Sequence, residues 1–434
     1  MDGAKGGGTA AEQRLIADTV AAYARRPQLV ALCCGIQRYA WGDRRFIPNL
    51  LGAPGPSDQP QAELWIGAHP DLPAAACLGA LRVPLDQLIA AAPAHILGDA
   101  AVRRFGTALP FLFKVLAAAT PLSIQAHPNR ADAERGFARE HRLGRPLGNP
   151  KRSYRDRNHK PELLVALTDF HALRGFRPLD EIAHELARYP SLGDLARDFD
   201  GSQDALRRLY ADFMRLPQPA VDDLLAPVVA LSRRRAQDPN DPGQARCHWL
   251  LRAHGQFTQD GHYDRGLLSV LLLNLLHLRP GDAIFLPAGE LHSYLAGAGL
   301  ELMANSNNVL RGGLTDKHID VDALLSVLHL DPHAPEILRP ATLQGDRRWQ
   351  VYAPPAAEFA LYRLRLEAGS RADFTPAAVA LGLVLDGDTV ITGGDARLVA
   401  RQGESFLSPA AVGALRFAST AGADVAIATV PTAL

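Results

Sequence analysis

The apolar pattern of the chain changes period twice, and this constrains the fold more than any other feature. From Leu29 to about Phe176 it comes in short runs broken by turn residues (LVALCCGI, AELWIGA, PFLFKVL, PLSIQAH, ELLVALT), the pattern of β-strands joined by irregular loops. From Leu179 to about Pro242 the spacing becomes helical, with Ile182, Leu186 and Tyr189 on one face and Leu206, Leu209, Tyr210 and Phe213 on another. The tract RRRAQDPNDPGQ after Ser232 reads as an exposed helix end running into a solvated loop. Strand character then resumes. Leu267–Leu276 reads as a buried core strand, about half the roughly 20 residues needed to cross a bilayer, and AIFLPA and HSYLA follow it. Asp322 to Leu330 reads as a helix, and beyond about Arg348 ALYRLRLEA, AVALGLVLD and DTVITGG read as a further all-β unit. The order predicts a β domain interrupted by helices and followed by a second β domain.

Composition narrows the function classes. A length of 434 residues with 47% hydrophobic content is enough for cores in two or three domains without disulfide staples. Lys+Arg and Asp+Glu each number 46, and a chain that lives on phosphate backbones would carry a basic excess, so nucleic acid is not expected as a partner. Four cysteines (Cys33, Cys34, Cys77, Cys247) in no CxxC spacing fit a reducing compartment. The N-terminus lacks the apolar core of a secretory signal, and a cytoplasmic location with no membrane association is the expectation. Thr9-Ala-Ala-Glu12 has the form of a capping box, with Ile16, Val20 and Tyr23 at helical spacing before Pro27, which predicts a short amphipathic helix. Only five of the 46 cations are lysines (Lys5, Lys114, Lys151, Lys160, Lys317), so each is either a chance survivor or a place where a compact, tunable ammonium is needed.

Three segments carry chemistry. In Pro121-Leu-Ser-Ile-Gln125-Ala-His127-Pro-Asn129 the Gln-x-His spacing puts both side chains on one face of an extended strand, where they share a ligand site or are ordinary core polar groups. In Asn158-His159-Lys160-Pro161-Glu162 the proline holds its predecessor extended, so Lys160 and Glu162 face one way, in a site or in a charged surface turn. Gly281-Asp-Ala-Ile-Phe-Leu-Pro287-Ala-Gly289-Glu-Leu-His292 has the spacing G-x5-P-x-G-x2-H, which resembles the second metal-binding motif of cupins. Gln125 and His127 would then stand in place of the first cupin motif, with Glu162 as a delayed acidic ligand, a donor set that suits a borderline divalent ion. Near the C-terminus Gly403-Glu-Ser-Phe-Leu-Ser-Pro409 keeps the glycine and proline, but Ala414 stands where the histidine would be, so the second β unit reads as a degenerate barrel without metal.

Taken together, Gln37-Arg-Tyr-Ala-Trp-Gly42, AELWIGAHP, PFLFKVL, TPLSIQAHPN, NHKPELLVALT, GFRP, PGDAIFLPAGELHSYL and ELMANSNNVLRGGLTDKHIDV resemble the type I mannose-6-phosphate isomerases, in order to about Val321. The resemblance implies a mainly β fold: a central metal-binding cupin jelly roll, a helical insertion and a degenerate C-terminal jelly roll. The expected boundaries are an N-terminal extension over 1–28, a catalytic domain over 29–178 and 265–345, an insertion over 179–264 and a final barrel over 346–434.

It further implies one zinc per chain, held by Gln125, His127, Glu162 and His292, with Mn²⁺ and Co²⁺ open as alternatives. Arg311, Glu301 and Lys160 are the implied catalytic residues, and Ser123, Lys114 and Lys317 approach the substrate's phosphate. His69 is a candidate for ring opening. The implied reaction interconverts mannose 6-phosphate and fructose 6-phosphate by moving a proton between C1 and C2 through a cis-enediol, supplying or consuming activated mannose. Isomerisation of another aldose phosphate and a non-catalytic sugar-phosphate sensor are the rival expectations, and no obligatory protein partner is implied. The chain departs from the family pattern at Asn307, where an Asp is usual, and at Asp316 beside Lys317. The basic stretch Lys151–Arg157 is either a lid over an anionic substrate or a solvated loop.

Overall fold

The computed structural model describes residues 10–53 and 55–431; the capping box expected at Thr9 falls outside them. The helix after it, Ala10–Arg25, is anchored by buried Tyr23, whose hydroxyl donates to the Gln28 carbonyl at 2.7 Å.

Two antiparallel sheet systems carry the rest. The catalytic barrel is built around the strand His292–Ala304, 13 residues long, which belongs to both of its walls. The first half pairs with Phe170–Phe176 and Ile124–Ala126, and the second half with Phe111–Ala118 and Glu162–Ala166. The changeover is a register shift between Tyr294 and Ala296 followed by Gly297 at φ +123, where a Cβ would lie 2.6 Å from the Asp169 carbonyl oxygen. Only glycine fits that corner.

The C-terminal barrel repeats the device. Ala380–Gly393 pairs with Ala423–Thr429 and Ser405–Ser408 before a register shift between Val384 and Asp386, and with Ala396–Arg401 and Leu415–Ala418 after it. Ala414 directly precedes a strand, as the degenerate motif requires. The barrel is filled by aromatics: Trp349 stacks on Phe374 at 5.0 Å and meets Phe417 edge-on at 6.3 Å. The first barrel has polar groups in the corresponding interior; this one is a packed core.

Several segments differ from the sequence expectation. The run LVALCCGI divides at Cys34: Val30–Cys33 pairs with Ser405–Ser408 of the C-terminal sheet, while Gly35–Gln37 pairs with Glu63–Ile66 of the catalytic sheet. The hairpin Ala75–Leu78 and Leu81–Pro84 also joins the C-terminal sheet, through Val30–Cys33. One short stretch of chain thus stitches the two barrels together. Gly266–Leu272, expected as strand, is a helix, and the strand begins at Leu273. Every residue of that helix is buried, so no polar face marked its period. The arginine tract ends the helix Gln218–Arg235, but Arg235 is buried against Glu185 and Asp241 rather than solvated. Between His127 and Glu162 the chain forms a helix, Arg130–Arg142, capped by the Asn129 side chain accepting from the Asp132 amide at 2.8 Å.

The filled second barrel yields a prediction. Trp349→Ala should cost about 3–5 kcal/mol, the usual range for emptying a buried aromatic site, read as a lower denaturant midpoint, while metal content stays unchanged.

Candidate active site

Strand register gathers the site. Gln125 stands directly opposite His292 on one neighbouring strand and opposite Arg311 on the other, and directly opposed residues share a face. His127 follows two residues after Gln125, and Ser123 precedes it by two, half-buried. Gly289, at φ +80, lets its turn close on the same region: its amide donates to the His127 carbonyl at 2.8 Å, three residues before His292.

His127, Glu162 and His292 are all buried, and their ligand atoms lie within 4.8 Å of one another. Nδ1 of His127 donates to the Asn308 carbonyl at 2.7 Å, and Nδ1 of His292 to the Glu290 carbonyl at 3.0 Å. A carbonyl oxygen only accepts, so each Nδ1 carries the proton and each Nε2 presents a lone pair. Those Nε2 atoms lie 3.4 Å from the two oxygens of Glu162. Neither nitrogen, nor Glu162 Oε2, has a hydrogen-bond partner among the described residues.

Burial, reinforced by the Lys160 ammonium, pushes His127 down to about 4, so it is neutral near pH 7. Burial alone would raise Glu162, but the Lys160 ammonium, with Nζ 3.0 Å from Oε1, holds its carboxyl well below the usual range. Lone pairs aimed at a carboxylate in a dry pocket repel unless a cation lies between them. The donor set fits a divalent metal, and Gln125, next to His292 in register, can add an amide oxygen.

A second polar row crosses the barrel interior beside this group. Glu301 faces Lys114 across the sheet, and Lys114 faces Trp65. Lys114 Nζ is 2.9 Å from Glu301 Oε2 and 3.6 Å from Glu63 Oε2, and it sits over the Trp65 ring at 5.2 Å. Trp65 Nε1 donates to Glu63 at 2.6 Å. Burial and the carboxylates of Glu162 and Glu63 push Glu301 up, against the pull of Lys114. Lys114 itself is raised, because Glu301 and Glu63 outweigh its burial. His69, buried edge-on to Trp65 at 4.9 Å, is lowered by burial and accepts the Asp71 amide on Nδ1.

Toward solvent the charge changes sign. Arg311 is half-buried and its pKa is lowered by burial and by Arg155; exposed Lys317 is lowered by partial burial and by Arg311. None of Arg155, Arg311 and Lys317 has a carboxylate salt bridge among the described residues. The basic stretch is divided in its role. Arg152 is buried, donating to the Tyr154 carbonyl, while Arg155 stays exposed.

Several residues that meet the site were not singled out in the sequence: Glu63, Trp65, Asp71 and Asn308; Arg155 was covered only by the basic stretch Lys151–Arg157. Asn308 is fully buried; its Oδ1 accepts from the amides of Arg155 and Asp156 at 2.7 and 3.1 Å, and its Nδ2 donates to the Asn158 carbonyl at 2.8 Å. The residue whose carbonyl orients His127 therefore also anchors the loop leading to Lys160 and Glu162. Asn307 donates through Nδ2 to Asp71 at 3.1 Å and through its amide to Asp156 at 2.6 Å, a loop-holding arrangement.

Residues 29–179 match the family model of the phosphomannose isomerase type I catalytic domain. Mannose-6-phosphate isomerase of Escherichia coli (strain K12) is 36% identical over 376 residues, 85% of this chain and 92% of that protein. The Homo sapiens enzyme of the same name is 34% identical over 361 residues, 78% of this chain and 82% of that protein. Among solved structures, mannose 6-phosphate isomerase from Salmonella typhimurium bound to its substrate fructose 6-phosphate and zinc superposes with a TM-score of 0.83 at 33% identity, over 93% of this chain and 100% of that one. A zinc-bound holo form of mannose 6-phosphate isomerase gives the same TM-score, 0.83.

The geometry around His127 predicts the effect of a residue that is no ligand. Asn308→Ala keeps the carbonyl but frees the loop, so metal affinity should fall about 10–100-fold, the usual cost of losing an outer-shell partner, measured by competition with a chromogenic chelator.

Proposed function

The chain belongs to the type I phosphomannose isomerases, and from that premise we infer that it is a zinc-dependent isomerase interconverting D-mannose 6-phosphate and D-fructose 6-phosphate. The observation that carries this reading is the convergence of unpartnered lone pairs from His127, Glu162 and His292 beside the buried Glu301–Lys114 pair.

Bound zinc, held by these three residues with Gln125, supplies Lewis-acid polarisation of the substrate oxygens at C1 and C2. The protein's own groups do the rest. Glu301 carries the proton between C1 and C2. What supports it is its place in the barrel interior and a carboxyl raised by burial, which makes it a stronger base than a solvated one. Lys114, expected from the sequence to approach the phosphate, is instead suited to hold Glu301 in position by charge, and Lys160, 3.0 Å from Glu162, remains the second acid/base candidate.

Arg311 offers fixed donors to the enediolate as charge develops on its oxygens. Lys317 and Arg155, together with the Ser123 hydroxyl, receive the phosphate; their lack of carboxylate partners leaves them free for it. His69, kept neutral by burial, is suited to exchange a proton with the ring oxygen as the sugar opens. Asn307 cannot act as a carboxylate base, and its bonds to Asp71 and Asp156 support a structural part instead.

Chelation should abolish activity and Zn²⁺ restore it in a coupled fructose 6-phosphate assay; full activity after verified metal removal would sink the zinc reading. Arg311→Lys should lower kcat about 10²-fold with a smaller change in KM, as for an interaction strengthened in the transition state, whereas an effect on KM alone would make it a ground-state phosphate anchor. Glu301→Gln should suppress exchange of the C2 proton with solvent while zinc content stays at the wild-type level. A sensor would bind sugar phosphate and leave that proton unexchanged.

A further inference from the structure

The C-terminal barrel holds no ligand of the metal group, yet one of its residues reaches the active-site loop. Glu358, two residues before the strand Ala360–Leu366, is buried to 4% exposure and accepts a hydrogen bond on Oε1 from His159 Nε2 at 2.7 Å. Its other oxygen, Oε2, is buried and has no hydrogen-bond partner among the described residues. A carboxylate is seldom left that dry without a charged or strongly donating neighbour, and here the neighbours belong to two of the three segments that carry metal ligands. His159 directly precedes Lys160-Pro161-Glu162. Arg130, whose guanidinium is 3.8 Å from Glu358 Oε1, begins the helix that follows His127.

The loop is held differently on its two sides. On the catalytic side Asn158 Nδ2 donates to the Asn305 carbonyl at 3.0 Å, and the Ala304 amide donates to the Pro161 carbonyl at 3.1 Å. Both clamps grip residues flanking the His159–Lys160 pair. The side chain of His159 makes its hydrogen bond to Glu358 across 199 positions of sequence. Pro161 then restricts the backbone of Lys160, so the direction in which His159 is held is passed to the ammonium that meets Glu162 Oε1 at 3.0 Å.

We propose that Glu358 is a positioning residue for the isomerisation: through His159 it sets Lys160 against Glu162, so the barrel without metal ligands shapes the site of the other. The proposal rests on Lys160 belonging to the catalytic machinery. It gives a definite ordering of variants. Gln at 358 can still accept from Nε2–H, Asp is one methylene too short, and Ala removes the acceptor altogether.

The test measures kcat, KM and zinc content of the full chain with mannose 6-phosphate for Glu358→Ala, Glu358→Gln, Glu358→Asp, His159→Ala, the double Glu358→Ala/His159→Ala variant, and Lys160→Ala. Glu358→Ala should lower kcat about tenfold, the scale of a sub-ångström misplacement, with KM and zinc content unchanged. Glu358→Gln should recover most of that loss, and the double variant should lose no more than either single one, as for two residues acting as a unit.

Wild-type kcat in Glu358→Ala, losses that multiply in the double variant, or a Gln variant as poor as Ala would each overturn it. If the Ala variant does not fold, the Asp and Gln pair decides: kcat low in Asp and near wild type in Gln supports the proposal, and equal values overturn it. Lys160→Ala separates the two claims. A harmless Lys160→Ala removes the underlying assignment, whereas a damaging one beside a harmless Glu358→Ala overturns the positioning role alone.

Discussion

The commitment of two imidazole Nδ1–H groups to backbone carbonyls is the constraint on which the site depends. With those Nδ1–H groups directed at the Asn308 and Glu290 carbonyls, the Nε2 lone pairs of His127 and His292 face Glu162 in a buried pocket. Each carbonyl is itself held by something larger. Asn308 is locked by its amide to the loop before Lys160, and Glu290 pairs with Arg174 at 2.7 Å, on the strand opposite His292. A preformed set of lone pairs follows from backbone geometry and not from rotamer choice, so a metal is met by ligands already aimed.

The long strand His292–Ala304 converts this local arrangement into an active site. It delivers His292 at its start and Glu301 near its end, with the corner at Gly297 bending it between the two walls of the barrel. One residue of the metal group, His292, and the carboxylate proposed to carry the proton are therefore placed by one continuous element. The degenerate barrel has the same bent strand but spends its interior on Trp349, Phe374, Phe406 and Phe417, which leaves it rigid and able to support its neighbour. Val30–Cys33 and Glu358 are two of the places where the barrels meet, and the Tyr352 hydroxyl donating to the Gly281 carbonyl at 2.9 Å is a third.

What was legible in the sequence was whatever depends on short-range geometry. The spacing from Gly281 to His292 is set by two turns, at Gly281 with φ +93 and at Gly289, where a Cβ would lie 2.6 Å from the Val327 carbonyl oxygen; such turns dictate residue type and so leave a pattern. The Gln-x-His and Lys-x-Glu pairs are likewise local alternations along extended chain. Asn308 left no mark, because its role lies in bonds to residues about 150 positions away and an asparagine in a loop is ordinary by itself. Glu63 and Trp65 were missed for a similar reason: they matter only once the sheet sets them beside Lys114. The helix Gly266–Leu272 defeated periodicity because it has no exposed face, and Val30–Cys33 because nothing in its composition says which sheet it joins.

The scarcity of lysine in a chain dominated by arginine acquires a physical reason at two of its positions. Lys114 places one nitrogen within hydrogen-bonding distance of Glu301, near Glu63 and over the Trp65 face, all in a buried row of strands. A guanidinium fork would need a planar, bidentate approach and more room, and it would commit both oxygens of one carboxylate. A point charge engages one oxygen of Glu301, Oε2, and does not commit both. Lys160 has the same property: its contact is with Glu162 Oε1, so Oε2 remains unpartnered and available as a ligand. Toward solvent the cations are mixed, Arg155 and Arg311 with Lys317, and there a charge with several donors suits an anion from solution without a carboxylate having to be shared.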